Sequence, residues 1–173
     1  KRQWWWYLND NKEMEGHYVD GRKNGIWTWW FDSGIKQSEG HYVDDEQDGL
    51  WSYFAKDGSV AEEITFSGGK RDGRSTVWLT PEEKQEEKFY RNGKLDGPST
   101  FWENGYRSTM TTYKSDSPEG PWVIWFSNSD QIKEQGFHQK GIREGLTTYY
   151  YEDGTMQREG FFKEGLPDGM WTY

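Results

Sequence analysis

The apolar residues of this chain fall in short aromatic runs separated by polar, glycine-rich stretches. IWTWWF, LWSYFA, RSTVWL, PSTFWE, PWVIWF and LTTYYY succeed one another at near-constant spacing, each followed by a more polar segment. Runs this short, rich in Trp, Tyr, Phe and Thr and bounded by Gly, Asp and Asn, predict β-strands. Side chains on a strand alternate faces, so within Gly25–Gly34 Trp27, Trp29 and Phe31 point one way and Trp30 the other. Both faces then carry large apolar surface. Either both are covered, or one is a site.

Self-comparison explains the spacing. EGHYVD occurs at Glu15–Asp20 and again at Glu39–Asp44. A glycine recurs at Gly25, Gly49, Gly73, Gly97, Gly120, Gly145 and Gly169, at intervals of 24, 24, 24, 23, 25 and 24, and an acidic residue precedes it in six of the seven cases. The chain is a tandem array of about seven units, at 2–25, 26–49, 50–73, 74–97, 98–120, 121–145 and 146–169, with an eighth begun at 170–173. Each unit reads as a β-hairpin: aromatic strand, a turn such as DSG, KDG, ENG or EDG, and a polar return strand. The return strand ends in Tyr18, Tyr42, Phe66, Tyr90, Tyr113 or Phe162, with His138 at that place in the sixth unit. Asn-Gly and Asp-Gly supply the positive backbone angles that tight hairpin turns need.

The fold class is therefore all-β, an elongated single-sheet antiparallel hairpin solenoid of about seven 24-residue repeats. About 14 strands at roughly 4.8 Å predict a twisted ribbon on the order of 65–70 Å long. Counting from the boundary glycine, the fifth place is Trp6, Trp30, Phe54, Trp78, Trp102, Trp125 and Tyr150, always aromatic. The fourth is Trp5, Trp29, Tyr53, Val77, Phe101, Ile124 and Tyr149. These ladders lie on opposite faces. Without a bulge, the Tyr18/Tyr42 ladder shares the face of Trp6 and Trp30. Gly16, Gly40, Gly136 and Gly160 leave room for flat rings to lie over bare backbone. Thr80-Pro81-Glu82-Glu83 replaces the glycine turn in the fourth unit, and the fifth is one residue short, so a local bend is expected there.

GHYVDGRKNGIWTWWFDSG and EGFFKEGLPDGMWTY resemble the MORN-repeat variant of bacterial, YwqK-like proteins. The resemblance covers essentially the whole chain. It implies an elongated antiparallel sheet used for protein contact or scaffolding, and it carries no catalytic residue. The W-x-Y-Y-x-x-x-G hairpins of choline-binding and related wall-binding repeats are a rival resemblance, with aromatic cages for quaternary ammonium ligands. Those repeats run nearer 20 residues, and the recurrent acidic-Gly boundary fits the MORN variant better.

Composition narrows the function. Aromatics are 18% of the chain and the whole AVILMFWYC set only 32%, so a conventional aliphatic core is not available. The net charge of −9 disfavours nucleic acid and anionic lipid as partners. No apolar run approaches the roughly 18 residues of a membrane span, and without Cys there is no disulfide, zinc-finger spacing or thiol nucleophile. The first residue is Lys1 and not Met, so the expectation is a trimmed piece of a longer protein.

No catalytic constellation stands out. His17 and His41 hold one place in consecutive units, which gives them a repeated surface or stacking role, and no G-x-S-x-G elbow or phosphate loop accompanies His138. DDEQDG, Asp44–Gly49, resembles a calcium loop only superficially, since Ala55 stands where a bidentate Glu is needed. It reads as a solvated turn, and PEEKQEEK, Pro81–Lys88, as a polar hairpin. No cofactor or metal site is expected. The exposed aromatics are the remaining signal, because Trp and Tyr dominate binding surfaces. The candidate binding face is the fifth-place ladder, Trp6, Trp30, Phe54, Trp78, Trp102, Trp125 and Tyr150, and the structural glycines are the seven at the unit boundaries. The sequence thus points to a non-enzymatic scaffold whose partner is another protein of a larger assembly. The alternative is a cell-wall or glycan-binding module, and either suits an exported bacterial protein.

Overall fold

The computed structural model describes residues 1–173. Fifteen strands follow one another in sequence order in one antiparallel sheet, with no helix. Fourteen come from the seven full units, and the fifteenth from the unit begun at the end of the chain. By contact the chain divides into two compact units, Lys1–Glu83 with Tyr90–Gly93, and Lys84–Phe89 with Lys94–Tyr173. The first contains β1 (Arg2–Trp6), β2 (Lys12–Val19), β3 (Arg22–Trp30), β4 (Lys36–Val43), β5 (Glu46–Phe54), β6 (Val60–Ser67) and β7 (Lys70–Trp78). β8 (Lys84–Arg91) belongs in part to each. The second contains β9 (Lys94–Glu103), β10 (Tyr106–Lys114), β11 (Ser117–Trp125), β12 (Ile132–Gln139), β13 (Ile142–Tyr150), β14 (Met156–Lys163) and β15 (Leu166–Thr172).

Two kinds of turn alternate. The connection from one hairpin to the next has two residues, both with left-handed backbone, as at Asp20 (φ 48°) and Gly21 (φ 81°). This is the backbone that matches strand twist in a hairpin. At Asp44-Asp45 no glycine is present, with φ of 50° and 71°. Asp45 is held there by the previous connection: its Oδ1 accepts from Lys23 N at 2.7 Å and its N donates to Lys23 O at 3.0 Å. Asp116 does the same with Leu95 in the second unit, at 2.8 and 2.9 Å. The turn inside a hairpin is longer, except in the fifth, where Asn104-Gly105 is again a two-residue left-handed turn. Phe31 N donates to Ile35 O at 2.8 Å, and Leu79 N to Glu83 O at the same distance. The Thr80-Pro81-Glu82-Glu83 segment therefore spans the same gap without glycine, and the Thr80 hydroxyl accepts from Glu83 N at 3.1 Å.

At two repeat boundaries in the second unit the acidic residue is a clasp between successive connections. Glu119 Oε2 accepts from Lys140 N at 2.7 Å, and Glu144 Oε2 from Glu164 N at 2.9 Å. Each carboxylate satisfies a backbone donor one repeat further on, where the left-handed turn leaves it without a ladder partner.

The core lies at the second place of each repeat. Trp27 is 0% and Trp51 2% exposed in the first unit, and Trp122 is 3% exposed in the second. Second and fourth places share a face, so in the first unit the rings form an unbroken line. Centroids are 5.7 Å apart from Trp5 to Trp27, Trp27 to Trp29 and Trp29 to Trp51, and 6.1 Å from Trp51 to Tyr53. Tyr18, Tyr42 and Phe66 meet this line edge-on. The expectation that Tyr18 and Tyr42 share a face with Trp6 and Trp30 is thereby corrected. A bulge does intervene: Trp29 pairs with Ser38 but Trp30 with Lys36, leaving Gln37 as the extra residue, and Trp5/Trp6 and Tyr53/Phe54 shift in the same way. Tyr42 therefore sits with Trp27, Trp29 and Trp51.

Candidate binding faces

The face formed by second and fourth places is closed by its own cations. Lys23 Nζ lies 4.6 Å from the Trp27 ring, 5.4 Å from Trp29 and 5.0 Å from Tyr42. In the second unit Arg143 lies 4.5 Å from Trp122 and 5.8 Å from Phe162, and Arg158 4.3 Å from Tyr149 and 5.5 Å from Trp171. A guanidinium or ammonium over a ring face attracts its quadrupole while its aliphatic stem covers apolar area. This face spends its aromatics on stability.

The opposite face carries first, third and fifth places, since β3 alternates through Ile26, Thr28 and Trp30. Apart from Trp4 and Val123, third places are Ser or Thr (Thr28, Ser52, Thr76, Thr100 and Thr148), and Thr28 Oγ1 donates to Glu39 Oε2 at 3.0 Å. First places project into solvent: Ile26 is 63% and Leu50 55% exposed in the first unit. In the second unit Leu146 pairs with Phe161, which is 56% exposed. These residues have nothing above them in the chain.

The fifth-place ladder is less open than this row. Trp6 is 59% exposed, Trp30, Phe54 and Trp78 are half-buried, and in the second unit Trp102 and Tyr150 are half-buried and Trp125 is only 9% exposed. A cation from the return strand covers most of them. Lys12 Nζ lies 4.9 Å from Trp30, Lys36 5.6 Å from Phe54, Lys84 5.5 Å from Trp102 and Arg107 4.9 Å from Trp125. Each lysine is steered by a glutamate three residues on, Lys36 to Glu39 at 2.9 Å and Lys84 to Glu87 at 2.7 Å. Burial pushes the Glu39 carboxyl up, but hydrogen bonds from Lys36 and Thr28 and the Lys36 charge outweigh it and hold the group below its usual range. The Tyr150 hydroxyl accepts from Gln135 Nε2 at 2.7 Å.

The first-place row was not singled out by the sequence pattern. Its members, Ile26, Leu50, Arg74, Pro98, Pro121, Leu146 and Met170, share no residue type, and only the alternation of the strand puts them beside the fifth-place rings. The seven boundary glycines, Gly25, Gly49, Gly73, Gly97, Gly120, Gly145 and Gly169, all have positive φ, from 71° to 131°.

Nothing in either face assembles catalytic chemistry. No group of three or more His, Cys, Asp or Glu side chains converges as a metal site. His17 and His41 are exposed on separate strands, while His138 stacks on Trp122 with centroids 5.6 Å apart. No helix is long and apolar enough to cross a membrane.

Comparison with known proteins agrees with this geometry. The family model of the MORN repeat variant matches residues 23–44, 47–67 and 143–164, each the longer turn inside a hairpin with the two strands around it or their greater part. No curated protein matches the chain. Repeats of this kind are modules for binding or scaffolding and typically lack enzymatic activity. Three of the hairpins of this chain are thus similar to MORN-variant repeats.

Proposed function

We propose that the array is a non-enzymatic protein-contact module that docks another protein of a larger assembly on the face carrying its first- and fifth-place residues. The observation that carries this reading is the contrast between the faces. One closes its rings under Lys23, Arg143 and Arg158, while the other leaves Ile26, Leu50, Leu146 and Phe161 uncovered beside Trp and Tyr rings. Exposed apolar rows rimmed by polar groups mark contact surfaces, and half-buried Trp and Tyr are the residues on which such contacts concentrate their energy. The candidate binding residues are Trp6, Trp30, Phe54 and Trp78 in the first unit and Trp102, Trp125 and Tyr150 in the second.

Affinity purification of the full-length chain tests the reading when it is repeated with Ile26→Asp and Leu146→Asp, which leave the ring line untouched. A protein retained by the parent and lost from both variants supports it. A set of bound proteins unchanged in both, or tryptophan fluorescence that responds to sugars alone, contradicts it.

A further inference from the structure

On the contact face, the first place of an aromatic strand pairs with a residue of the return strand. Ile26 pairs with His41, Leu50 with Thr65 and Pro98 with Thr112, so one member of each pair is polar. In the sixth and seventh hairpins both members are apolar: Pro121 pairs with Phe137, and Leu146 with Phe161. All four are exposed, Phe137 at 45% and Leu146 at 44%. These two apolar stations lie one repeat apart on β11–β14, within the second unit. Two residues from Phe161 on the same strand, and on the same face, Glu159 has no ion-pair partner.

We propose that the two stations hold a proline-rich segment of the partner protein in the polyproline II conformation, with an apolar residue at every third position and a basic residue beside them. This rests on the protein-contact reading above and names the chemistry of its partner. The spacing of the stations carries it. One repeat is two strands, about 9.6 Å at the usual strand separation. Three residues of polyproline II rise about 9.3 Å and bring the side chain back to the same side. An α-helix presents one side every three or four residues, about 5 Å apart, and its seven-residue repeat is about 10.5 Å. An extended strand presents one side about every 6.7 Å. Of the three, polyproline II alone sets residues i and i+3 on successive stations with no inward side chain between them. Such a segment is already ordered before it binds, and aromatic surfaces such as Phe137 and Phe161 suit its proline rings. The Glu159 carboxylate offers the acceptor for a Lys or Arg next to an anchor, and the net charge of −9 favours a basic segment.

The test is an NMR titration of the intact chain with a blocked peptide of three Pro-Pro-Arg triplets. It follows the methyl resonances of Leu146, identified by their absence in Leu146→Asp. The expected result is a saturable shift of those methyls, with the Ile26 methyls unmoved and no response to a blocked peptide of three Gly-Ser-Arg triplets. Phe137→Thr gives the sixth hairpin the polar member found at Thr65 and Thr112, and should weaken binding at least about fivefold. Glu159→Gln should weaken it at least about twofold, with the indole resonances of both variants kept as a sign of intact folding. No saturable shift in the parent chain overturns the proposal. So does an equal response to the Gly-Ser-Arg peptide, an equal shift at Ile26, or unchanged binding in a folded Phe137→Thr variant. If the peptide fails while a copurifying protein is still lost from Leu146→Asp, the contact face stands and the polyproline partner falls.

Discussion

Gly40 lies directly beneath the indole of Trp51: a Cβ on Gly40 would stand 2.1 Å from Trp51 Cδ2 and 2.2 Å from Cε2. The indole N–H donates to His41 O at 3.1 Å, which fixes the ring over the bare backbone. Gly16 and Trp27 make the same pair, with the Trp27 N–H on His17 O at 3.2 Å, and in the second unit Gly160 lies under Trp171. The two positions are always 11 residues apart. At that offset the third hairpin has Ile64 and Ser75, both buried at 3% exposure, so the large and small members have changed places.

This relation predicts compensation. Gly40→Ile alone should expel the Trp51 ring and cost at least about 2 kcal/mol. Trp51→Ser alone should cost about 3–5 kcal/mol. Together they recreate the Ile64/Ser75 pair, and the double variant should be more stable than the sum of the singles by about 1–3 kcal/mol. Chemical denaturation of the four proteins measures this. Additive losses would show that the two positions do not share one volume.

The second unit contains an incomplete pair. Gly136 faces Thr147, and Trp122 leans over the glycine from the other side, its Cζ2 2.8 Å from where a Cβ on Gly136 would stand. Thr147 is fully buried and its hydroxyl has no hydrogen-bond partner. Thr147→Val, which keeps the shape and removes the unsatisfied group, should raise stability by about 1 kcal/mol. An equal loss on denaturant titration would mean that the hydroxyl is satisfied in solution.

The boundary glycines differ in what they require. At Gly49, φ is 71° with open space around a would-be Cβ, so only the backbone angle excludes other residues. At Gly97, φ is 131° and a Cβ would stand 2.9 Å from Phe89 Cβ. Gly49→Asn should therefore be nearly neutral, because Asn tolerates left-handed backbone, and Gly49→Ala should cost about 1 kcal/mol. Gly97→Asn and Gly97→Ala should both cost more than their Gly49 counterparts. Thermal melts that rank the two sites equally would contradict this.

Much of this architecture was legible because the repeat is written at a constant offset. The hairpins, the strand order, the two opposed ladders and the bare-backbone glycines all follow from aligning the units. The face of Tyr42 did not follow, because the bulge at Trp29/Trp30 is carried by Gln37, an unremarkable polar residue. The buried row was also obscured. Its occupants run Trp27, Trp51, Ser75, Ser99, Trp122, Thr147 and Trp171, which look unrelated until each is set against the residue 11 positions earlier. The boundary carboxylates were visible as a pattern, but the bonds of Glu119 and Glu144 to turn backbone one repeat on were not.

His138 predicts a pH dependence. Burial against Trp122 holds its imidazole below the ordinary histidine range, and the nearby Arg143 charge adds to the effect. A lowered value in the folded state means that the unfolded chain binds more protons. Stability should therefore be full above the ordinary histidine value and fall as pH drops from there through the lowered one. His138→Phe, which copies Phe162 at the same place, should remove that fall. Melting curves between pH 7.5 and roughly pH 5, across the span set by the reference histidine value, check it. An identical slope in parent and variant would assign the pH dependence to other groups.

Whether the fifth-place rings serve a contact and not only the stack is decided by Trp102→Ala. The ring is half-buried under Lys84, away from the buried second-place row. Once a protein that copurifies with the full-length chain is in hand, its affinity for parent and variant is measured alongside their melting temperatures. A contact role requires an affinity loss of about 2 kcal/mol or more with little change in melting temperature. A collapsed melt with normal binding by the remaining folded protein would make the ladder structural and place the contact elsewhere.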